Sequence, residues 1–344
     1  MKKIFAGLLM TAMLISCTKN KDVAYPDFDY QTVYFASQFP VRTIVLGEDL
    51  MIDNSLDNEH KVNIKATIGG TRDNRKDVII NFEVDESLCS NLYFSGTGPK
   101  VVPMPSAYYK LVSDKITIPA GSILGGVEVQ LTDAFFADPL SLVNTYVIPL
   151  TMKNVENADS ILRGTPSVSN PNRCIDAHWT VKPRDFIAYA VKYVNPWHGS
   201  YLRRGKDVIV GKPGYTELDR TVFRRKIYVE QDEVKGMTTR SLSVVELPLV
   251  FTNSSGGNIP MNLLLTFDPK DNTCSISAAG SGYTASGTGK FVKRGEKNSW
   301  GAQDRDAIYL SYTIDHPMMQ ITSADTLVLR DRGVSPEYYS PVVR

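Results

Sequence analysis

The stretch KYVNPWHGSYLRRG, residues 192–205, decides how the second half of the chain folds. Asn195-Pro196 predicts a bend, and a glycine-led segment with strand character follows it. The chain continues with long strand-like segments in meander-like spacing, among them RTVFRRKIYVE, MNLLLTFD, DAIYLSYTID and ADTLVLRDR. This succession predicts a second β-domain over residues 179–344 that closes on itself as a small barrel. DFIAYAVKYV (185–194) leaves one short helix open as an alternative.

The same stretch is similar to the opening strand of lipocalin-type barrels, which starts with a glycine, any residue and an aromatic ring. In that fold an arginine of the last strand covers the ring at the barrel floor through a cation–π contact and buried hydrogen bonds. Here Gly199 would allow close backbone approach, Tyr201 would supply the ring, and Arg330 of TLVLRDR (326–332) would cover it. The similarity predicts a structural, barrel-closing role for these three residues.

Residues 30–162 have the pattern of a separate β-domain. Apolar residues alternate with other residues in HKVNIKATIGG (60–70) and DVIINFEVD (77–85), and a period of two is typical of half-buried strands. About seven such segments predict a sandwich of two sheets, so the predicted fold class is all-β throughout. RGTPSVSNPNRC is rich in Pro, Ser and Asn and indicates a linker over 163–178.

The N-terminus, MKKIFAGLLMTAMLISC, has the pattern of a lipoprotein signal peptide. Two lysines precede an uncharged run that is too short to span a bilayer, which is typical of a secretory signal over residues 1–16. The run ends in Leu14-Ile15-Ser16-Cys17, which matches the bacterial lipobox and predicts lipidation of Cys17. The polar composition of residues 17–29 indicates a tether. Thr18 stands where an aspartate would signal inner-membrane retention, which favours the outer membrane.

Charge, cysteine content and motifs argue against several classes of function. The 38 basic and 37 acidic residues give no general attraction to nucleic acid. Cys89, Cys174 and Cys274 are widely spaced and form no CxxC pair, so neither a disulfide framework nor a metal site is predicted. Neither a GxSxG serine motif nor a GxxxxGK[ST] phosphate loop occurs in the sequence. We therefore expect no catalytic residues and no cofactor.

Several phrases resemble a family of Bacteroidota cell-surface lipoproteins: YFASQFPVRTIVLGED (34–49), KITIPAGS (115–122), GGVEVQLTDAFFADP (125–139) and the stretch at 192–205. Their N-terminal module, domain of unknown function 1735, precedes a family-18 glycosidase barrel in some relatives and a small β-domain in others. The resemblance implies an immunoglobulin-like first domain and glycan capture on the cell exterior, beside an outer-membrane importer. The DxxDxDxE strand of family-18 glycosidases is missing here, so that activity is not implied.

Five side chains near predicted bends are candidates for binding a sugar: Trp197, His198, Tyr215, Tyr283 and Trp300. The apolar face of a sugar ring stacks on an aromatic plane, and flanking polar groups bind its hydroxyls. The alternative for each of these residues is that it fills a barrel end or a domain seam.

The sequence thus predicts a non-catalytic, lipid-anchored surface protein that binds an oligo- or polysaccharide for uptake. The alternative is an accessory subunit that docks on the importer and has no sugar site, and an exposed apolar patch would favour it. A glycan hydrolase would require paired carboxylates in a cleft. A carrier of a small apolar ligand would require an open barrel interior.

Overall fold

The computed structural model describes residues 28–344, and the predicted signal peptide, Cys17 and most of the predicted tether lie outside the described residues. The described part consists mainly of β-strands, which confirms the predicted all-β class. Within it the helices α1 (Ser55–Asn58) and α2 (Asp133–Ala137) are one-turn elements in connections. No helix of residues 28–344 is both long and apolar enough to cross a membrane.

The strands follow one another along the whole described chain. Those of the first half are β1 (Thr32–Tyr34), β2 (Pro40–Val45), β3 (Lys61–Gly69), β4 (Val78–Val84), β5 (Leu92–Tyr93), β6 (Val102–Pro103), β7 (Tyr109–Leu111), β8 (Lys115–Ile118), β9 (Leu124–Leu131), β10 (Tyr146–Glu156), β11 (Ser160–Ile161), β12 (Thr165–Pro166), β13 (Trp179–Val181) and β14 (Phe186–Val194). Those of the second half are β15 (Gly199–Gly211), β16 (Arg220–Arg224), β17 (Glu233–Thr239), β18 (Val244–Leu247), β19 (Val250–Thr252), β20 (Asn258–Pro260), β21 (Leu263–Phe267), β22 (Thr273–Ala278), β23 (Thr284–Glu296), β24 (Arg305–His316), β25 (Met319–Asp331), β26 (Glu337–Tyr338) and β27 (Val342–Val343). Short 3-10 helices occupy Glu86–Cys89, Ser106–Tyr108, Pro139–Leu142, Asp176–His178, Thr216–Leu218, Val229–Gln231 and Trp300–Ala302.

The first domain is an immunoglobulin-like sandwich whose two layers enclose one apolar core. Strands β1, β3, β9 and β7 form one layer, and β8, β4, β10, β14 and β2 form the other. At the corner, β8 and β9 share a single residue pair, Thr117 with Gly126. A Cβ at the adjacent Gly125 would overlap the carbonyl oxygen of Thr117, so the close approach requires glycine. Ile64 and Ile148 are among the residues that fill the core from the two layers.

Strand β14 is buried on both faces, which explains why its sequence does not alternate. It pairs antiparallel with β10 and parallel with β2. Ile187 and Tyr193 lie in the core between the layers, whereas Ala188 and Ala190 lie in a second apolar cluster that includes Tyr339 of the C-terminal tail. The predicted boundary at 179 must therefore be corrected, because β14 is an inner strand of the first sheet and the barrel begins at β15. The helix left open for this segment is not formed.

The second domain is an eight-stranded closed barrel. Its strands follow the order β15-β17-β18-β21-β22-β23-β24-β25, and β25 pairs with β15 to close the circle. Strand β16 pairs with the second half of β15, beside β17, as an additional strand of the wall. Every second residue of a strand faces inward, so Ile209, Leu265 and Ile321 from three strands meet in one core.

The two domains are joined at Asn195 and again through the C-terminal tail. The side chain of Asn195 is buried and donates hydrogen bonds to the carbonyl oxygens of Ser241 (2.8 Å) and Val244 (3.0 Å) of the barrel. After the barrel the chain returns to the sandwich, where β26 pairs with β2 and β27 pairs with β5. Lys192 of β14 forms an ion pair of 2.6 Å with Glu337 of β26. The tail therefore fastens the end of the chain to the first domain.

Candidate functional site

Gly199 and Tyr201 lie in the barrel wall next to the last strand. Tyr201 is fully buried, and its hydroxyl donates a hydrogen bond of 2.9 Å to the carbonyl oxygen of Trp197. Burial also raises the pKa of Tyr201, so the phenol stays protonated. Gly199 has a φ of +150°, and a Cβ at this position would lie 2.5 Å from the carbonyl oxygen of Asp331. The close contact of β15 with β25 therefore requires glycine at position 199.

The arginine beside this pair is Arg332, which corrects the sequence-based choice of Arg330. Ser200 pairs with Asp331 and Tyr201 pairs with Leu329, so Arg330 is the extra residue of a β-bulge. Its side chain is half exposed. Arg332 is buried and interacts electrostatically with the Tyr201 hydroxyl.

Trp197 and His198 lie at the floor of the barrel, where neither can serve as a surface platform for a sugar. Trp197 is 2% exposed and stacks on Phe267, with ring centroids 4.2 Å apart and planes inclined by 6°. His198 accepts a hydrogen bond of 3.2 Å at Nδ1 from the backbone of Thr239. Burial, with a smaller contribution from the charge of Arg332, lowers the pKa of His198 to about 4. Both residues therefore follow the structural alternative that the sequence left open.

Tyr215 and Tyr283 lie in two other connections of the barrel. Tyr215 precedes the 3-10 turn between β15 and β16 and is exposed. Tyr283 lies between β22 and β23, is half-buried against the barrel core, and donates a hydrogen bond of 2.5 Å to the carbonyl oxygen of Asn262. They do not line the cavity that Trp300 lines. The five candidate residues are thus not assembled into one site.

Trp300 lines a surface cavity of about 400 Å³ formed by residues 227–230 and 298–302, called here the Tyr228–Trp300 pocket. Tyr228 is 59% exposed, and Trp300 is half-buried. The guanidinium carbon of Arg305 lies 3.5 Å from the centroid of the Trp300 ring. The indole nitrogen donates a hydrogen bond of 3.1 Å to the carbonyl oxygen of Leu329. One face and one edge of the indole are therefore fixed, as a rigid stacking surface requires.

The loop that carries Trp300 has an unusual backbone conformation. Asn298, Gly301 and Ala302 have φ values of +45°, +70° and +54°. A left-handed conformation is uncommon for alanine and costs about 1 kcal/mol or more. The loop is held by hydrogen bonds from the backbone of Asn298 to Asp304 (3.0 Å) and from the backbone of Ser299 to the carbonyl of Gln303 (2.8 Å). Backbone strain that the surrounding structure maintains is typical of ligand-binding loops.

The remaining walls of the pocket supply polar groups next to the aromatic rings. Glu230 and Asn298 are exposed at its edge. The Ser299 hydroxyl is buried and has no hydrogen-bond partner within residues 28–344. An aromatic surface beside an exposed carboxylate and an exposed amide matches the two faces of a sugar. Sequence reasoning missed Tyr228, although the apolar pair Ile227-Tyr228 within the charged run RRKIYVEQDE is a usable signal.

A group of paired charged side chains lies inside the barrel. Arg203 donates to Asp325 (2.9 Å), and Arg224 donates to both Asp207 (2.9 Å) and Asp325 (2.6 Å). The Tyr312 hydroxyl also donates to Asp325 (2.7 Å). Each of the four carboxylate oxygens of Asp207 and Asp325 accepts at least one hydrogen bond from Arg203, Arg224 or Tyr312. Such a paired, buried cluster favours a structural role, and a charged interior does not favour an apolar ligand.

No group of three or more His, Cys, Asp or Glu side chains among residues 28–344 is arranged to hold a metal ion. The absence of a cofactor and of catalytic activity remains a prediction from the sequence.

Two family models match the chain. A domain of unknown function, DUF5627, matches residues 196–333, which correspond to the barrel. A model described as an N-terminal domain matches residues 28–159, which lie within the sandwich. No curated protein matches the sequence. The identification of the first module as domain 1735 stays a prediction.

One solved structure covers nearly the whole chain. It is a protein of unknown function from Bacteroides ovatus that is 49% identical over 92% of this chain and 100% of that chain, with a TM-score of 0.87. A second B. ovatus structure of unknown function is 14% identical over 90% of this chain and 99% of its own, with a TM-score of 0.39. A third, from B. ovatus ATCC 8483 and provisionally described as carbohydrate-binding, is 12% identical over 89% and 97%, with a TM-score of 0.29. Scores this low carry no argument about ligand or fold.

Proposed function

The chain belongs to the family of the Bacteroides ovatus protein of unknown function, and from this premise we propose that it is a non-catalytic surface lipoprotein that binds a glycan. The lipid anchor at Cys17 and the outer-membrane location follow from the N-terminal sequence pattern. An outer-membrane importer is the proposed neighbour, as the family resemblance implies. The glycan-binding part of the proposal rests on the Tyr228–Trp300 pocket.

The physical argument is the match between this pocket and a sugar ring. Trp300 is held on one face by Arg305, and the exposed ring of Tyr228 lines the same cavity. Stacking of the C–H face of a sugar on such rings removes apolar area of both partners from water, which favours binding. Glu230 and Asn298, both exposed at the edge of the pocket, supply an acceptor and a donor for sugar hydroxyls.

Affinity gel electrophoresis against a panel of soluble polysaccharides tests the proposal. The wild-type protein should be retarded by at least one polysaccharide, and Trp300→Ala and Tyr228→Ala should each abolish the retardation. Tyr215→Ala is the matched control, because Tyr215 is an exposed tyrosine of another barrel connection and should be replaceable without effect. Circular dichroism spectra of all variants must coincide with the wild type. Unchanged retardation of Trp300→Ala would place the sugar elsewhere and refute this site.

The accessory-subunit alternative is favoured by one observation, the exposed apolar surface on β16 and on the connection that follows it. Ile227 is 90% exposed and Phe223 is 73% exposed. Exposed apolar patches also mark protein–protein contacts. If no polysaccharide retards the wild-type protein, the docking function replaces the glycan-binding function.

A further inference from the structure

A second surface cavity lies on the barrel wall next to the Tyr228–Trp300 pocket. Its volume is about 260 Å³, and its side-chain lining includes Arg204, Lys206, Phe223, Arg225 and Thr326. Three of these residues are cationic, and no acidic residue lines the cavity. The large cavity of the sandwich differs in this respect, since it combines acidic and basic side chains. The cavity on the barrel wall is therefore a locally positive surface.

One of the three cations has an unused hydrogen-bond donor. The side chain of Arg204 is 12% exposed, and its Nε donates a hydrogen bond of 2.5 Å to Asp232. Its Nη2 is buried and has no hydrogen-bond partner within the described residues. A buried, unsatisfied donor on a guanidinium is costly, and an anion is the partner that it binds best. Asp232 neutralises part of this charge, while Lys206 and Arg225 form no ion pair within residues 28–344.

The cavity also contains an aromatic surface. Phe223 is 73% exposed, and the Lys206 amine lies 5.4 Å from the centroid of its ring. Thr326 of β25 adds a hydroxyl to the lining of the same cavity. An aromatic ring with neighbouring cations and a hydroxyl resembles a sugar subsite for a ring that bears a negative charge.

The two cavities are placed to bind one extended chain. Phe223 of β16 and the following Arg225 line one cavity, and Ile227 and Tyr228 a few residues later line the other. Along β25, Thr326 belongs to the cationic cavity, and the carbonyl of Leu329 three residues later accepts the Trp300 hydrogen bond. Three residues of a strand span about 10 Å, which exceeds the length of one sugar ring.

We propose that the ligand is an acidic glycan, whose carboxylate or sulfate groups bind Arg204, Lys206 and Arg225 while a neighbouring sugar stacks on Tyr228 and Trp300. This inference rests on the proposed function and adds the substrate class. Arginine pairs with carboxylate and sulfate oxygens through two parallel N–H groups, which gives the site its preference for an anion at that position.

The test compares acidic with neutral polymers. Full-length protein is measured by affinity gel electrophoresis against polygalacturonate and chondroitin sulfate, and against galactan and dextran, with single-stranded DNA as a further polyanion. The double variant Lys206→Gln/Arg225→Gln should lower affinity for an acidic polymer about tenfold or more and weaken its dependence on salt concentration. The double variant Lys110→Gln/Lys270→Gln removes the same charge from exposed lysines elsewhere and should bind as the wild type does.

The outcomes separate this inference from the proposed function. Binding to neutral polymers that equals binding to acidic ones, or a Lys206/Arg225 variant that binds acidic polymers as the wild type does, overturns the acidic class and leaves glycan binding intact. An affinity for single-stranded DNA equal to that for the acidic polysaccharides overturns the acidic-glycan class in favour of a general polyanion surface. Failure to bind any of the polymers overturns both.

Discussion

Replacement of Arg332 by alanine should destabilise the protein strongly, because this side chain joins the two domains. Its Nε donates to the carbonyl of His198 (2.8 Å), and its Nη2 donates to the carbonyls of Leu46 (3.0 Å) and Asn195 (2.7 Å). A weaker contact of 3.3 Å links Nη1 to the carbonyl of Glu48. Its acceptors therefore come from the sandwich, the junction and the start of the barrel.

The expected loss of stability follows from the two hydrogen bonds of Arg332 that are fully buried, those to the carbonyls of Leu46 and Asn195. A buried carbonyl that loses its donor costs about 1–3 kcal/mol, which gives roughly 2–6 kcal/mol for the pair. Part of this cost is offset, because removal of Arg332 also removes a buried charge, and the same burial lowers the pKa of the guanidinium. We expect a net loss of about 3 kcal/mol in the free energy of unfolding.

Urea unfolding followed by tryptophan fluorescence measures this loss, with Arg330→Ala as the matched control. Arg330 is the same residue type two positions earlier, but its side chain is half exposed. Its replacement should change the free energy of unfolding by no more than about 0.5 kcal/mol. A shift of similar size for both variants, or an unchanged Arg332→Ala protein, would show that the buried bonds do not hold the domains together.

Three further predictions concern the barrel floor. Gly199→Ala should cost about 2 kcal/mol or more in urea unfolding, because a Cβ would lie 2.5 Å from the Asp331 carbonyl, whereas Gly236→Ala, with open space around its Cβ, should stay within about 0.5 kcal/mol. Trp197→Ala should cost about 3–5 kcal/mol in the same assay, since it empties a buried stacked position. The pKa of His198 lies at about 4 in the folded protein and at 6.5 in the unfolded chain. The neutral side chain therefore contributes fully to the free energy of unfolding above pH 6.5, and this contribution is lost as the pH falls toward 4. The loss totals roughly 3 kcal/mol, and it should be absent from the pH dependence of a His198→Gln variant.

The fold class could be predicted because apolar residues alternate along many segments, as half-buried strands require. Two local features could not be predicted in this way. Ser200 and Tyr201 of β15 pair with Asp331 and Leu329 of β25, so Arg330 is the unpaired residue of a bulge. The apolar pattern of TLVLRDR does not indicate this bulge. Strand β14 is apolar on both faces because it is an inner strand with a core on each side. A fully buried strand cannot be distinguished from a helix by its period, so the first domain was predicted to end too early.

The choice of aromatic residues near bends could not distinguish a side chain that enters the barrel from one that lines its surface. Trp197 follows Pro196 and enters the barrel, whereas Trp300 lies in a connection and lines a surface cavity. Both positions look alike in sequence, since each is a tryptophan beside turn-forming residues. Both connections lie at the same end of the barrel, where Ser200 of β15 pairs with Asp331 and Ala307 of β24 pairs with Val328. The difference is therefore one of side-chain direction, which the sequence pattern does not record.

Asp232 accounts for the exposure of the apolar residues that the proposed function uses. Its carboxylate accepts hydrogen bonds from the Arg204 side chain (2.5 Å) and from the backbone of Lys226 (2.8 Å), which closes the connection against the barrel wall. Ile227 and Tyr228 lie within this closed turn and are held in solvent. A surface that is already ordered loses little entropy when it binds, so the exposed apolar area favours association with a ligand. The same carboxylate fixes Arg204 with one donor free, and a single buried aspartate thus orients both the stacking surface and the cationic cavity.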